Sequence, residues 1–303
     1  MKGDIFMPAN YKPFDKAEWL RLEAKAHELR KLTLQTAIWG GSGHIGGAMS
    51  AMDAMTILYH RFMKLDPHNP NYEDRDRFVL SKGHAAVGYA PVLVDYGFMP
   101  IEELQIFNLT GAKIGMHLDS NKVKGVDFST GSLGHGISLG VGAALAAKLK
   151  GKDYMTYVIC GDGEMNEGSN WEGIMSAAQF KLSNLVVMVD NNKCMIDGRV
   201  ADEMNIEPID KKFKAFNFNV YRVDGHDFSQ LNIAIEAAIE NAKKGDKPTA
   251  IILDTFKGEG VDFMKDNYLW HYGSLDDKKA KDAFDSLDKY YAERCARAEK
   301  EGK

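Results

Sequence analysis

The sequence predicts an α/β fold, a parallel β-sheet with helices on both faces. Three observations predict it. Continuous apolar runs recur at residues 154–160, 185–190 and 250–255, the pattern of strands buried on both sides. Stretches of helical character lie between them, at residues 171–180 and 230–243, and such alternation implies right-handed crossovers and parallel pairing. The first two runs also end abruptly in polar turns, where the loops of an open parallel sheet gather.

The elements follow in order. Residues 15–39 read as a helix: Leu20, Leu22, Ala26, Leu29, Leu32 and Leu34 form a broad apolar stripe, and Gly40-Gly41 ends it. A second helix is expected from about Ser50 to Phe62. Arg77-Phe78-Val79-Leu80 reads as a short buried strand stopping at Ser81-Lys82-Gly83-His84. Residues 131–136 form a glycine-rich turn, followed by an Ala- and Leu-rich helix to about Lys150. The tail, residues 275–303, is a charged helix with an apolar stripe of Ala283, Leu287 and Tyr290-Tyr291. No repeat, linker or low-complexity break divides the chain. The expectation is one domain over residues 1–303, with a short N-terminal arm (1–14) and a C-terminal helix (about 275–300).

Composition narrows the function classes. The chain has 303 residues, 45% hydrophobic, with a net charge of −5 and both signs spread throughout. That is enough for a large core and leaves no basic stripe for nucleic acid. Cys160, Cys194 and Cys295 form no CxxC, which fits a reducing cytoplasm better than a disulfide framework. The N-terminus carries charges and prolines where a signal peptide needs an apolar stretch. The longest apolar segment, residues 137–149, is broken by glycines and too short to span a bilayer. The expectation is a soluble cytoplasmic protein with no membrane or nucleic-acid partner.

Chemistry concentrates at two strand ends. The run 154–160 leads into Gly161-Asp162-Gly163-Glu164-Met165-Asn166-Glu167-Gly168, and the run 185–189 into Asp190-Asn191-Asn192-Lys193. Each end delivers an oxygen ligand, Asp162 and Asn192. A hard divalent cation takes a few protein oxygens and completes its shell with phosphate oxygens. Glycines beside Asp162 let backbone N–H groups approach a phosphate, and the following helix aims its N-terminus at the same place. These features describe a magnesium-bridged diphosphate site. A looser match to a nucleotide-binding glycine pattern, Gly134-His135-Gly136-Ile137-Ser138-Leu139-Gly140, has only the polar stretch 124–129 before it and leaves Asp162 and Asn192 unexplained.

The ordered pair of motifs resembles the signature of thiamine-diphosphate enzymes. Histidines specify the subfamily: Gly41-Ser42-Gly43-His44-Ile45-Gly46-Gly47, Ser81-Lys82-Gly83-His84, Met116-His117-Leu118-Asp119, Ser129-Thr130-Gly131-Ser132-Leu133-Gly134-His135-Gly136 and Trp270-His271-Tyr272-Gly273. In order and spacing this series resembles the N-terminal part of transketolase, over about residues 15–275. The resemblance implies the thiamine-diphosphate-binding version of the predicted sheet. Its cofactors would be thiamine diphosphate and Mg2+, which Ca2+ or Mn2+ can replace.

The resemblance also implies roles. Asp162, Asn192 and the backbone carbonyl of Cys194 would hold the metal. Gly163, His84 and His271 would lie at the diphosphate or near the reacting carbon. Gly131 and Leu133 would lie beside the aminopyrimidine, and His44 and His117 at the substrate hydroxyls. Glu167 would link cofactor sites across an interface. Three departures stand out. Ile45 replaces a proline, so a fixed φ is lost. Leu118 also stands where proline is usual, and His135 where glutamine is frequent. Full-length transketolases continue into a pyrimidine-binding domain and a C-terminal domain. The resemblance therefore implies one subunit of a split enzyme, with a second subunit carrying those domains in an α2β2 heterotetramer. The segment 131–149 and Trp171 are candidate interface surfaces, with Trp171 read first as a core residue. The nearest alternative is the α subunit of a 2-oxo-acid dehydrogenase, which shares the metal motif but not the whole set His44, His84, His117 and His271.

Overall fold

The computed structural model describes residues 14–302; most of the expected N-terminal arm therefore lies outside the described residues. Helix α1 (Lys16–Trp39) begins where Asp15 accepts a hydrogen bond from the Glu18 amide at 2.8 Å, an ordinary N-cap. Helix α2 (Ile45–Ile57), extended by one π-turn over Leu58–Phe62, starts five residues before the expected Ser50. The low helix propensity of Gly46-Gly47 hides this start, and tertiary packing overrides it. A Cβ on Gly46 would stand 2.5 Å from the Trp270 carbonyl oxygen. His44 thereby becomes the residue preceding the first turn.

Strand β1 (Arg77–Leu80) is followed by α3 (Ala86–Tyr96), the short α4 (Glu102–Gln105) and α5 (Gly136–Lys150). Next come β2 (Thr156–Gly161), α6 (Gly168–Gln179), β3 (Leu185–Asn191), and the short helices α7 (Val200–Glu203) and α8 (Ile209–Ala215). The chain finishes with β4 (Asn219–Asp224), α9 (Phe228–Lys244), β5 (Thr249–Asp254) and α10 (Asp277–Glu301). The sequence reading assigns neither α3 nor β4. Helix α3 carries Pro91 in its interior, normally a breaking signal. Strand β4 buries only Val223 fully, so the apolar run expected of a central strand is absent.

The five strands pair in parallel in the order β1-β2-β3-β5-β4. Alternate strand residues feed two cores. Phe78, Tyr157, Ile159, Met188 and Ile251 point toward α1, α2, α3, α9 and α10, whereas Val79, Val158, Val187, Val189 and Ile252 point toward α5, α6 and α8. The sheet therefore has helices on both faces, as predicted. Trp171 stacks on Phe216 with centroids 5.8 Å apart and donates from Nε1 to the Met165 carbonyl at 2.9 Å, in keeping with its reading as a packing residue. No helix among the described residues is long and apolar enough to cross a membrane.

Candidate active site

The cleft is built at the C-terminal strand ends. In the ladder Gly161 lies opposite Asp190, so Asp162 and Asn192 leave adjacent strands one and two residues later. The Asp162 carboxylate accepts from the Gly163 amide at 2.8 Å and from the Lys193 amide at 2.6 Å; the second loop therefore binds directly onto the first loop's side chain. Lys193 adopts φ 65° to make that turn. Asn192 donates through Nδ2 to Asp190 Oδ2 at 3.0 Å and Ser50 Oγ at 3.3 Å, while its Oδ1 accepts from the Cys194 amide at 3.1 Å.

Asp162 is buried. Burial, and then the charge of Asp190, push its carboxyl up to about 7, against the lowering effect of the two amides. Among the described residues no cationic side chain is hydrogen-bonded to it. Two ammonium groups stand nearby. Lys82 donates to the Gly47 carbonyl at 2.7 Å and pairs with Asp190. Lys257, 1% exposed, donates to the Met195 carbonyl at 3.1 Å and lies 3.0 Å from His271 Nδ1. Neither of those partners is a counter-charge, and burial pushes Lys257 down to about 8. Glu164 ties the glycine turn to the end of β2: it accepts from Ser81, from the Gly134 amide at 3.0 Å and from the Gly161 amide at 3.1 Å.

Three imidazoles form a triangle above this floor. Ring centroids are 5.0 Å apart for His44 and His84, 5.2 Å for His44 and His271, and 5.1 Å for His84 and His271. Desolvation first, and neighbouring positive or imidazole groups second, lower His44 to about 4, His271 to about 3 and His84 to about 2. All three are neutral at physiological pH. His117, also lowered by burial, packs over Gly131, where a Cβ would lie 2.6 Å from its ring.

One cleft of about 340 Å³ is lined by His44, His84, His117, His271, Gly131, Leu133, Asp162, Gly163, Glu167, Asn192 and Cys194. Every residue given a site role from the sequence is thus brought together. His135 is exposed and outside the lining. Lys82, Lys257, Glu164 and Met195 line the cleft as well, and sequence reasoning gave them no role. The strand-end rule had the means to find Lys257, which follows β5 as Asp162 follows β2. Lys82 sits inside a segment read only for its histidine.

Among the described residues no trio of His, Cys, Asp or Glu is grouped to hold a metal ion. The donors available are instead one carboxylate, one amide oxygen and backbone carbonyls, a hard-oxygen set suited to magnesium sharing its shell with phosphate. A buried carboxylate with no hydrogen-bonded cation, beside a buried ammonium with no hydrogen-bonded anion, is the complement of a metal diphosphate. Residues and group fit.

Fold and cleft together define an α/β protein with a polar cleft at its strand ends, whose oxygen donors suit a metal-bound diphosphate. Comparison with known proteins narrows the class. Residues 22–288 match the family described as transketolase, thiamine diphosphate binding domain. The chain is 39% identical to a 6-deoxy-6-sulfo-D-fructose transketolase subunit of Clostridium sp. (strain MSTE9), over 88% of this chain and 96% of the relative. It is 37% identical to an apulose-4-phosphate transketolase subunit of Actinobacillus succinogenes, over 83% and 90%. A transketolase structure from Pichia stipitis superposes with TM-score 0.81 at 29% identity, over 92% of this chain and 44% of that one. One from Leishmania mexicana gives 0.80 at 27%, over 92% and 45%. The chain belongs to the transketolase family, to the part of it that binds thiamine diphosphate. It spans under half the length of those solved transketolases, but nearly all of the two relatives named as subunits. These relatives do not favour the 2-oxo-acid dehydrogenase alternative.

Proposed function

We propose that this chain is the thiamine-diphosphate-binding subunit of a two-chain, magnesium-dependent transketolase. It transfers a two-carbon ketol unit from an anionic ketose to an aldose. One observation carries the reading: adjacent strand ends present Asp162 and Asn192 to one cleft, opposite the unbalanced ammonium of Lys257. Asp162, the Asn192 amide oxygen and the Cys194 carbonyl are the metal ligands, and Ca2+ or Mn2+ can substitute. Lys82, Lys257, His84 and Gly163 face the diphosphate. Gly131 and Leu133 lie beside the aminopyrimidine. Thiamine diphosphate, when bound, supplies the carbanion-stabilising ring. The chain's task is then to hold it and to move protons on substrate oxygens. Neutral imidazoles at His44, His117 and His271 suit that task, since each can accept or donate a proton at the substrate hydroxyls.

The names of the two subunit relatives, which specify a sulfonated and a phosphorylated sugar, support an anionic donor. Their being named subunits supports a companion chain that carries the pyrimidine-binding and C-terminal domains. We assign an α2β2 assembly, in which Glu167, exposed in the isolated chain, reaches across to a second site. The chain forms a single domain and works in the cytoplasm, consistent with three free cysteines, two of them buried.

The test is direct. The purified chain with thiamine diphosphate and Mg2+ is expected to show no ketol transfer, and its companion subunit is expected to restore it on a panel of sulfonated and phosphorylated ketoses. Turnover by the chain alone refutes the two-chain reading. Decarboxylation of pyruvate in place of ketol transfer refutes the transketolase reading.

A further inference from the structure

Beneath the cleft lies a buried polar cluster that none of the roles above uses. Asp53 of α2 is fully buried. It accepts from Arg30 at 2.9 and 2.7 Å, from Arg294 of α10 at 3.0 Å and from His226 Nδ1 at 2.9 Å. Arg294 also pairs with Glu23. Two carboxylates therefore meet two guanidinium groups, and the histidine completes the cluster. Its tautomer is fixed by the opposite edge: the Phe256 amide donates to Nε2 at 3.1 Å, so the ring proton sits on Nδ1 and is donated to Asp53. Glu259 Oε2 stands 3.9 Å from Nε2, beyond a hydrogen bond, and the other Glu259 oxygen takes Lys265 at 2.9 Å.

The amide that His226 holds opens the turn after β5. The Thr255 amide is held by the Asn191 carbonyl at 3.3 Å and the Gly258 amide by the Gly46 carbonyl at 3.0 Å; between them Phe256 is held by a side chain from the turn between β4 and α9. The imidazole also lies parallel to the Phe256 ring, 14° apart with centroids at 6.4 Å. The next residue is Lys257, whose ammonium lies 3.0 Å from His271 Nδ1.

We infer that His226 is a positioning residue of the active site: clamped between Asp53 and the Phe256 amide, it fixes the turn that holds Lys257 against His271. This rests on the proposed diphosphate site only for its effect on cofactor binding; the clamp itself is independent of it. Two substitutions separate the two edges of the ring. His226→Asn keeps a donor toward Asp53 and loses the acceptor for Phe256. His226→Gln extends its amide oxygen to the place of Nε2 and restores that acceptor, giving up the donor toward Asp53.

Hydrogen exchange of the full chain, without cofactor, is read on peptides spanning Phe256. Thiamine diphosphate with Mg2+ is titrated calorimetrically into the assembled two-subunit enzyme. His226→Asn is expected to speed exchange at Phe256 and to weaken the cofactor Kd by about tenfold, one hydrogen bond's worth. His226→Gln is expected to stay within about threefold of wild type, well under the 1.4 kcal/mol of a tenfold change. Equal exchange in the Asn variant and wild type overturns the clamp, as does a Gln variant as impaired as Asn. Faster exchange with an unchanged Kd overturns the link to the active site. If wild type binds no thiamine diphosphate, the proposed cofactor site falls, while exchange still decides the clamp. Should the Asn variant not fold, His226→Met, which keeps the volume and neither nitrogen, takes its place under the same criteria.

Discussion

Asp162 sets the pH behaviour of the site. Its folded pKa of about 7 lies above the ordinary carboxyl value of 3.8. Between those values the folded chain holds a proton that the unfolded chain has released, so the group's contribution to stability falls as pH rises through that window and levels off above it. Metal binding must expel the same proton. Thiamine diphosphate with Mg2+ should therefore raise Tm more at pH 8 than at pH 6 in thermal melts, and equal shifts count against Asp162 as a ligand. Asp162→Ala removes the proposed ligand, a buried carboxylate to which no cation among the described residues is hydrogen-bonded. It is expected to abolish metal-dependent cofactor binding in calorimetry while leaving the Tm of the cofactor-free chain unchanged or higher. The histidines behave differently. Replacing His44, His117 or His271 by Ala should lower kcat of the assembled enzyme by about 10²–10⁴-fold, the worth of a placed general acid or base, a larger effect than on cofactor Kd.

Among the elements, helix α5 shows how local sequence and site geometry meet. Its first residue, Gly136, lies against β1's end: a Cβ there would stand 2.2 Å from Ser81 Oγ and 2.7 Å from Ser81 Cα. Ser81 in turn donates to Glu164, which holds the Gly134 turn. Gly136→Ala should destabilise the chain by about 2 kcal/mol through overpacking and weaken cofactor binding. Gly142, in the same helix, has open space around it: a Cβ there would meet nothing within 4 Å. Gly142→Ala should stabilise the isolated chain by roughly 0.5–1 kcal/mol through helix propensity. Denaturant melts give both signs, and a shared sign would show that propensity and packing have been misassigned. The legible elements were those whose local pattern agrees with their environment. Helix α1 begins within one residue of the expected start, and the three apolar runs became β2, β3 and β5 within two residues at either end. Strand β4 was not legible because its edge position buries little, nor was α3 because Pro91 and Gly88 look like breakers. The start of α2 was hidden for the related reason that its glycines serve close packing and not a loop.

In the molecule as a whole, the C-terminal helix is locked by charge. Arg294 reaches Glu23 of α1 and Asp53 of α2 within the core. A buried pair contributes little net stability when intact, because desolvation offsets attraction. Removing one member is another matter. Arg294→Met should cost about 3–5 kcal/mol by leaving Glu23 buried without a counter-charge, while Asp53 keeps Arg30, lowering Tm on the order of 10 °C. A fall of under a degree or two in calorimetry would show that α10 is held by its apolar stripe alone.

Residue order alone carries the parallel α/β plan, the pair Asp162 and Asn192 at successive strand ends, and the histidines that gather around them. Periodicity, turn chemistry and short motifs encode these, and all are local in the chain. Which charges are paired and which stand unbalanced emerges only on folding: Lys257 lies beside His271 without a hydrogen-bonded anion among the described residues, Lys82 pairs with Asp190, and the Arg30–Asp53–Arg294 cluster reaches Phe256 through His226. Their partners lie up to 241 residues away. Desolvation depends on what the fold packs around a group, and no local pattern of residues encodes it.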